Sequence, residues 1–256
     1  MIYVSTNMYH TRDLQKVFSI VEAVSDIGIE LFPLFHDPEF EKELQHLMPD
    51  FLKYPLTFHE PYYETDHAAP HGSSAEAETE RQMRLAFSYA KSMRPKYMVF
   101  HYNNSRIGNA QKMKKIAREN LQRYRQTSPA PILIENTGVA VLNNVLFSEE
   151  EFIAEVKQTG GGVLIDVGHA NANGWDIENL VGELSDSIQS YHLHSNDGVH
   201  DFHHRIFQNT PDYYHLLPIF QEKTPGADLV IEYQRGYSGR EKEVVEDILR
   251  LRELWG

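Results

Sequence analysis

Eight short apolar runs recur along this chain, and stretches with helical periodicity separate them. The runs are Ile2–Ser5, Ile29–Phe32, Leu56–His59, Tyr97–His101, Ile132–Glu135, Val163–Asp166, Ile188–His192 and Leu229–Glu232. Most continue without polar alternation and several are β-branched, which is how strands buried on both faces of a parallel sheet read. Between them, residues 73–93 carry Met83, Ala86, Phe87, Ala90 and Met93 at helical spacing behind a capping signature of Ser73 and Glu76. Ser148 and Glu151 repeat that signature ahead of 149–158. Segments 12–25, 109–126, 176–186, 212–223 and 240–254 also suit helices, and a weaker one near 38–48 is expected to stop at Met48-Pro49. The Gly160-Gly161-Gly162 run precedes a strand, so it reads as a helix C-cap and not as a phosphate loop, which follows one. Eight strands alternating with helices, with no Pro/Gly/Ser-rich linker, predict the α/β class and a single (β/α)8 TIM barrel over residues 1–256. A doubly wound open sheet is the rival architecture.

The strand ends carry the chemistry. From the third run to the eighth they read Phe58-His59-Glu60, Phe100-His101-Tyr102, Ile134-Glu135-Asn136, Ile165-Asp166 with His169 close behind, Tyr191-His192-Leu193-His194 and Ile231-Glu232-Tyr233. In a barrel the carboxyl ends of all strands converge on one mouth. Bare charges at apolar strand ends are costly unless paired or metal-bound, and divalent cations would remove the repulsion within a ring of carboxylates. Each residue alone has a blander reading: a strand-end His59 or His101 is more often a hydrogen-bonded core residue, and Glu135 or Glu232 can form a salt bridge across the mouth. The joint pattern resists that explanation. His192 and His194 alternate to the same strand face, so at least one is expected to point inward. A second cluster, His200-Asp201-Phe202-His203-His204, suits a further ion. Mixed imidazole and carboxylate donors favour zinc, manganese or cobalt over magnesium or calcium. His10, His36, His46 and His215 are expected to be solvated or structural, as are His67 and His71 on the loop after the third strand.

Composition narrows the partners. No run approaches the length of a membrane span, and a net charge of −13 argues against broad capture of a polyanion, which makes nucleic acid an unfavoured partner. The absence of cysteine removes disulfides and thiolate ligands together. Met1–Tyr9 has no basic region or cleavage-type site, so a cytoplasmic protein is the simplest expectation.

Several segments together resemble the xylose isomerase-like barrel superfamily, which includes endonuclease IV, sugar isomerases and epimerases, and inosose dehydratases. They are Gly28-Ile29-Glu30-Leu31, His59-Glu60-Pro61-Tyr62, Ile134-Glu135-Asn136-Thr137, Asp166-Val167-Gly168-His169-Ala170, His192 through Gly198, Asp201-Phe202-His203 and Ile231-Glu232. The resemblance implies that His59, His101, Glu135, Asp166, His169, His192, Asp201, His203 and Glu232 match the ligand set of endonuclease IV. The isomerase branch implies a smaller set, Glu135, Asp166, His192 and Glu232, around one metal. The spacing of relatives favours His192 over His194 as ligand. The cofactor implied is one to three divalent ions, zinc or manganese foremost. Departures fall around the substrate: Ser195 replaces a common carboxylate, Arg205-Ile206-Phe207-Gln208-Asn209 replaces a Gly-rich run, and Tyr102-Asn103-Asn104 replaces a Pro-Gly turn.

Two catalytic expectations follow. In the favoured one, a metal polarises the carbonyl of a small, possibly phosphorylated, sugar or polyol, and Glu135 and Glu232 move the adjacent proton. His169 would hold a hydroxyl there, Arg205 would clamp a phosphate or carboxylate, and Tyr62, Asn136 and His194 would line the substrate site. In the alternative, a multinuclear zinc centre cleaves a phosphoester, as in abasic-site DNA or a small phosphoester, with Glu135 bridging metals. A non-catalytic, metal-stabilised binding protein is the third possibility.

Overall fold

A computed structural model describing Met1–Gly256 places the eight apolar runs in one closed barrel of parallel strands, ordered β1 to β8, with β8 pairing back onto β1. The strands are β1 (Ile2–Ser5), β2 (Ile27–Leu31), β3 (Leu56–Phe58), β4 (Met98–Phe100), β5 (Ile132–Glu135), β6 (Val163–Asp166), β7 (Ile188–Leu193) and β8 (Asp228–Ile231). Every strand residue except Gln189 is buried, as the unbroken apolar runs require. Outside the barrel lie α1 (Val17–Ala23), α2 (Phe40–Phe51), α3 (Ser74–Met93), α4 (Ala110–Thr127), α5 (Glu149–Thr159), α6 (Val167–Ala172), α7 (Ile177–Leu184), α8 (Tyr213–Lys223) and α9 (Glu241–Trp255). No helix is long and apolar enough to cross a membrane.

The barrel interior is packed at its floor. The Tyr3 ring lies over Gly28 so closely that a Cβ there would come 2.3 Å from the ring and 2.7 Å from the Pro55 carbonyl oxygen. Buried Asp228 accepts from the Met1 ammonium at 3.0 Å and from Lys96 Nζ at 2.6 Å. Tyr97 donates to Ser190 Oγ at 2.8 Å.

Local signals mostly act as expected. Ser148 and Glu151 form a complete capping box at α5, and Gly160 ends that helix with φ of 65°. Ser73 caps α3 through the Glu76 amide, but the Glu76 carboxylate turns to the Gly72 amide and His71 instead of closing a box. Two expectations need correction. Residues 12–25 begin as a 3-10 turn, Thr11–Lys16, before α1. And α2 does not stop at Met48: it runs past Pro49 to Phe51. Pro49 costs the helix one backbone bond, to the Gln45 carbonyl, only two residues before its end, and the fully buried Phe51 ring holds that turn in the core.

Candidate metal centre

The carboxyl ends of β3 to β8 converge as the topology demands, and they bring Glu135 to the middle of the mouth. Its carboxylate lies 3.0 Å from His101 Nε2, 3.3 Å from His169 Nδ1, 3.5 Å from His192 Nδ1 and 3.8 Å from His59 Nε2. The ends of β3, β4 and β7 and the first turn of α6 thus aim imidazoles at one buried carboxylate. On the far side, Asp166 accepts from His194 Nε2 at 3.1 Å, and Asp201 stands 3.3 Å from His169 Nε2 and 3.0 Å from His203 Nε2. Glu232 lies 3.2 Å from His192 Nδ1.

Local structure aims these rings. The His59 Nδ1–H donates to the Glu60 carbonyl at 2.7 Å and the His203 Nδ1–H to the Glu232 carbonyl at 2.9 Å, which leaves Nε2 of each directed inward. Asn104 Oδ1 holds His101 Nδ1 at 2.9 Å. Asp166 also caps α6 by accepting from the His169 amide at 2.6 Å, so the Asp-x-x-His spacing is one helical turn that returns both side chains to the site. Gly168 in that turn lets the His194 ring lie against it; a Cβ there would come 2.0 Å from the ring. His203 sits in a left-handed turn (φ 46°), a strained position for a non-glycine residue, and its ring stacks on His194 at 3.7 Å.

The electrostatics are those of a charge cluster. Burial opposes the protonated form of His101, but Glu135 outweighs it and lifts the pKa to about 9. Burial likewise opposes charge on His203, and Asp201 lifts it to about 10. His169 and His192 are also held well above the usual imidazole range, by Asp166 and by Glu30 respectively, against burial. His59 goes the other way, because burial and the His101 charge both disfavour its cation. Asp166 falls to about 2, since His169 and His194 outweigh its burial. Glu232 rises to about 7 because burial, with Glu30 and Glu135 adding to it, exceeds the help from His192 and His203.

These side chains fit divalent cations. Four overlapping groups have ligand atoms within 4.8 Å of one another: His169, His194, Asp201 and His203; His59, His101 and Glu135; His59, His192 and Glu232; and Glu135, Asp166 and His192. The donors are nitrogen and oxygen throughout, as zinc or manganese would take. His192 Nδ1, His194 Nδ1 and Asp201 Oδ1 are buried without a directed hydrogen bond. Charged neighbours stand 3.0 Å from Asp201 Oδ1 and 3.2 Å from His192 Nδ1 but off the hydrogen-bonding direction, so these buried atoms keep capacity for a further ligand.

Three sequence expectations change. His194, expected beside the substrate, stands in the His169–Asp201–His203 group, while His192 sits deeper, its Nε2 3.1 Å from buried Glu30 on β2. Asn136, expected to touch substrate, is spent on the backbone: it donates to the Asp166 carbonyl at 2.9 Å and accepts from the Asp166 amide at 2.7 Å, extending the β5–β6 ladder. Arg205 does not serve the mouth, because Asp247 at 2.7 Å and Glu243 at 2.5 Å on α9 hold its guanidinium. Tyr62 does line the mouth, edge-on to His101. His67, expected to be structural, is buried 2.6 Å from Glu60. Sequence reasoning passed over Glu30, although a charge inside the apolar segment Ile27–Leu31 was the available signal.

Above the cluster a cavity of about 330 Å³ opens to solvent, walled by Tyr62, Tyr63, Asn104, Thr137, Gln234 and Arg235 among others. No curated protein matches the sequence. Among solved structures, D-psicose 3-epimerase with D-tagatose, from Clostridium cellulolyticum H10, is similar over 99% of both chains at 10% identity, with a TM-score of 0.76. The IOLI protein with a bound zinc atom is similar over 99% of this chain and 97% of its own, at 16% identity and a TM-score of 0.75. An AP endonuclease of family 2 from Brucella melitensis is similar over 94% of this chain and 95% of its own, at 15% identity and a TM-score of 0.69. Identities this low speak for the fold alone. The family model described as the xylose isomerase-like TIM barrel matches residues 21–254, and the chain belongs to that family.

Proposed function

We propose that this chain is a divalent-metal-dependent enzyme that hydrolyses a small phosphoester at the barrel mouth. The observation that carries the reading is the surplus of donors around Glu135. A one-metal site of the isomerase type asks for Glu135, Asp166, a histidine of β7 and Glu232. Here His59, His101, His169, Asp201 and His203 crowd the same carboxylates, more than one ion can use. The sequence alone favours the isomerase because of the acidic charge; the packing of imidazoles on Glu135 shifts the weight. Divalent ions held by these residues, up to three, would supply Lewis acidity toward a phosphoryl oxygen. The chain itself positions Glu135 between the donor groups, and Tyr62 and Tyr63 supply aromatic wall to the cavity. A long polyanion is disfavoured: the net charge is −13, and the one basic side chain, lysine or arginine, on the cavity wall is Arg235.

A second reading, sugar or polyol isomerisation or epimerisation, is supported by Glu232. It faces the same cavity as Glu135, which suits a pair of proton-transfer groups.

The test loads the protein with zinc or manganese and runs two assays side by side. Phosphate release from sugar phosphates, together with cleavage of an abasic-site duplex, reads hydrolysis; deuterium incorporation from D2O into ketoses reads epimerisation. Chelator-sensitive phosphate release is the expected result. Deuterium incorporation without phosphate release replaces it with the second reading, and silence in both assays at full metal content leaves a binding protein.

A further inference from the structure

Arg235 begins the 3-10 turn Arg235–Tyr237 after β8 and lines the cavity. It is half-buried, its guanidinium lies 4.8 Å from the Tyr63 ring centroid, and its Nε is buried with no hydrogen-bond partner. No carboxylate pairs with it, in a chain with 37 acidic and 24 basic residues. Several other arginines are taken by acids, among them Arg205 by Asp247 and Glu243, Arg118 by Glu155 and Arg123 by Glu80; what sets Arg235 apart is that it combines an open guanidinium with a place on the cavity wall. A guanidinium left without an acid and packed over an aromatic ring is held in place in advance, so less freedom is lost when its planar fork meets an oxyanion. Its neighbours on the wall are neutral and hydrogen-bonding: the carboxamides of Asn7, Asn104 and Gln234 and the hydroxyl of Thr137. They match hydroxyl groups.

We propose that Arg235 is the anchor for a terminal anionic group, phosphate or carboxylate, on a polyhydroxylated small molecule, and thereby sets the specificity of the site. The inference rests on reading the cavity as the substrate site and names the class of substrate, a phosphorylated or carboxylated polyol. Arg235 takes the part that the sequence alone gives to Arg205.

Calorimetric titration of the metal-loaded protein with D-glucitol 6-phosphate, D-gluconate and D-glucitol tests it without reference to turnover. The anionic polyols are expected to bind roughly ten- to a hundredfold more tightly than glucitol, the range of a charge-assisted contact. Preference for the phosphate over gluconate identifies the anion as a phosphate, and the reverse identifies a carboxylate. Arg235→Gln is expected to abolish the preference, read as the ratio of anion to glucitol affinity within the variant, and Arg235→Lys to restore part of it. Anion binding that survives undiminished in Arg235→Gln lies on the metals, and it overturns the proposal, as does wild-type protein that does not prefer either anion. The phosphate-release assay stands apart: an anchor can hold where hydrolysis fails, and the reverse.

Discussion

The floor and the mouth of the barrel both bury charge, and they settle it differently. At the floor, Asp228 is met by the Met1 ammonium and by Lys96, so the network closes on itself. At the mouth, His192 Nδ1, His194 Nδ1 and Asp201 Oδ1 lie in the midst of acids and imidazoles without a directed partner. The same contrast separates two arginines: Arg205 is saturated by α9, and Arg235 is left open over a cavity. Closed networks hold elements in register. Open ones keep hydrogen-bonding and charge capacity that a ligand can take up.

The largest expected effect breaks the mouth at its centre. Glu135→Gln keeps the shape of the side chain and removes the charge that His59, His101, His169 and His192 surround. Bound metal per chain, read by elemental mass spectrometry, is expected to fall, and turnover in whichever assay responds to fall by roughly a thousandfold. An unchanged metal stoichiometry would show that Glu135 is not the shared ligand. A smaller effect is expected one layer down, at Glu30. Its carboxylate stands 3.1 Å from His192 Nε2 and fixes the ring whose other nitrogen faces Glu232. Glu30→Gln is expected to weaken metal binding by roughly ten- to a hundredfold, the usual loss when the partner behind a ligating histidine is removed. Equal affinity in a competition titration with a chromophoric chelator would place His192 outside the metal set.

How much of this was legible beforehand follows the same division. The strands were readable because burial on both faces writes an unbroken apolar run, and β1, β5 and β6 fall at the residues expected. The ring of ligand types was readable because a barrel gathers every strand end on one side, whatever the loops do. Choices that depend on depth or on loop paths were not. His192 and His194 point to one face, and only their height along β7 decides that the first meets Glu30 and the second Asp166. Asn136 looked free because its partners are backbone atoms of β6, which leave no trace in composition. Arg205 follows β7 at the end of a loop pinned by bridges from Ser195 to His204 and from Asn196 to Thr210, and that path carries it to α9. Pro49 misled because the burial of Phe51, which carries the helix two residues past the lost backbone bond, is a tertiary fact.

The smallest expected effect tests whether floor and mouth are separable at all. Asp228 is buried, but its two partners are not: Met1 and Lys96 keep 41% and 55% of their side-chain exposure. Removing the acid therefore leaves no stranded charge, because both ammonium groups rehydrate, and the large penalty for a broken buried pair does not apply. What is lost is a pair of charge-assisted hydrogen bonds that tie the start of β1 and the end of α3's connection to β8. Asp228→Asn keeps the volume and one acceptor, so about 1–2 kcal/mol is expected, read as a lower urea midpoint at unchanged slope. Metal stoichiometry and affinity are expected to stay at the wild-type values. If the metal is lost along with the stability, the floor sets the geometry of the mouth, and the division drawn between closed and open networks fails.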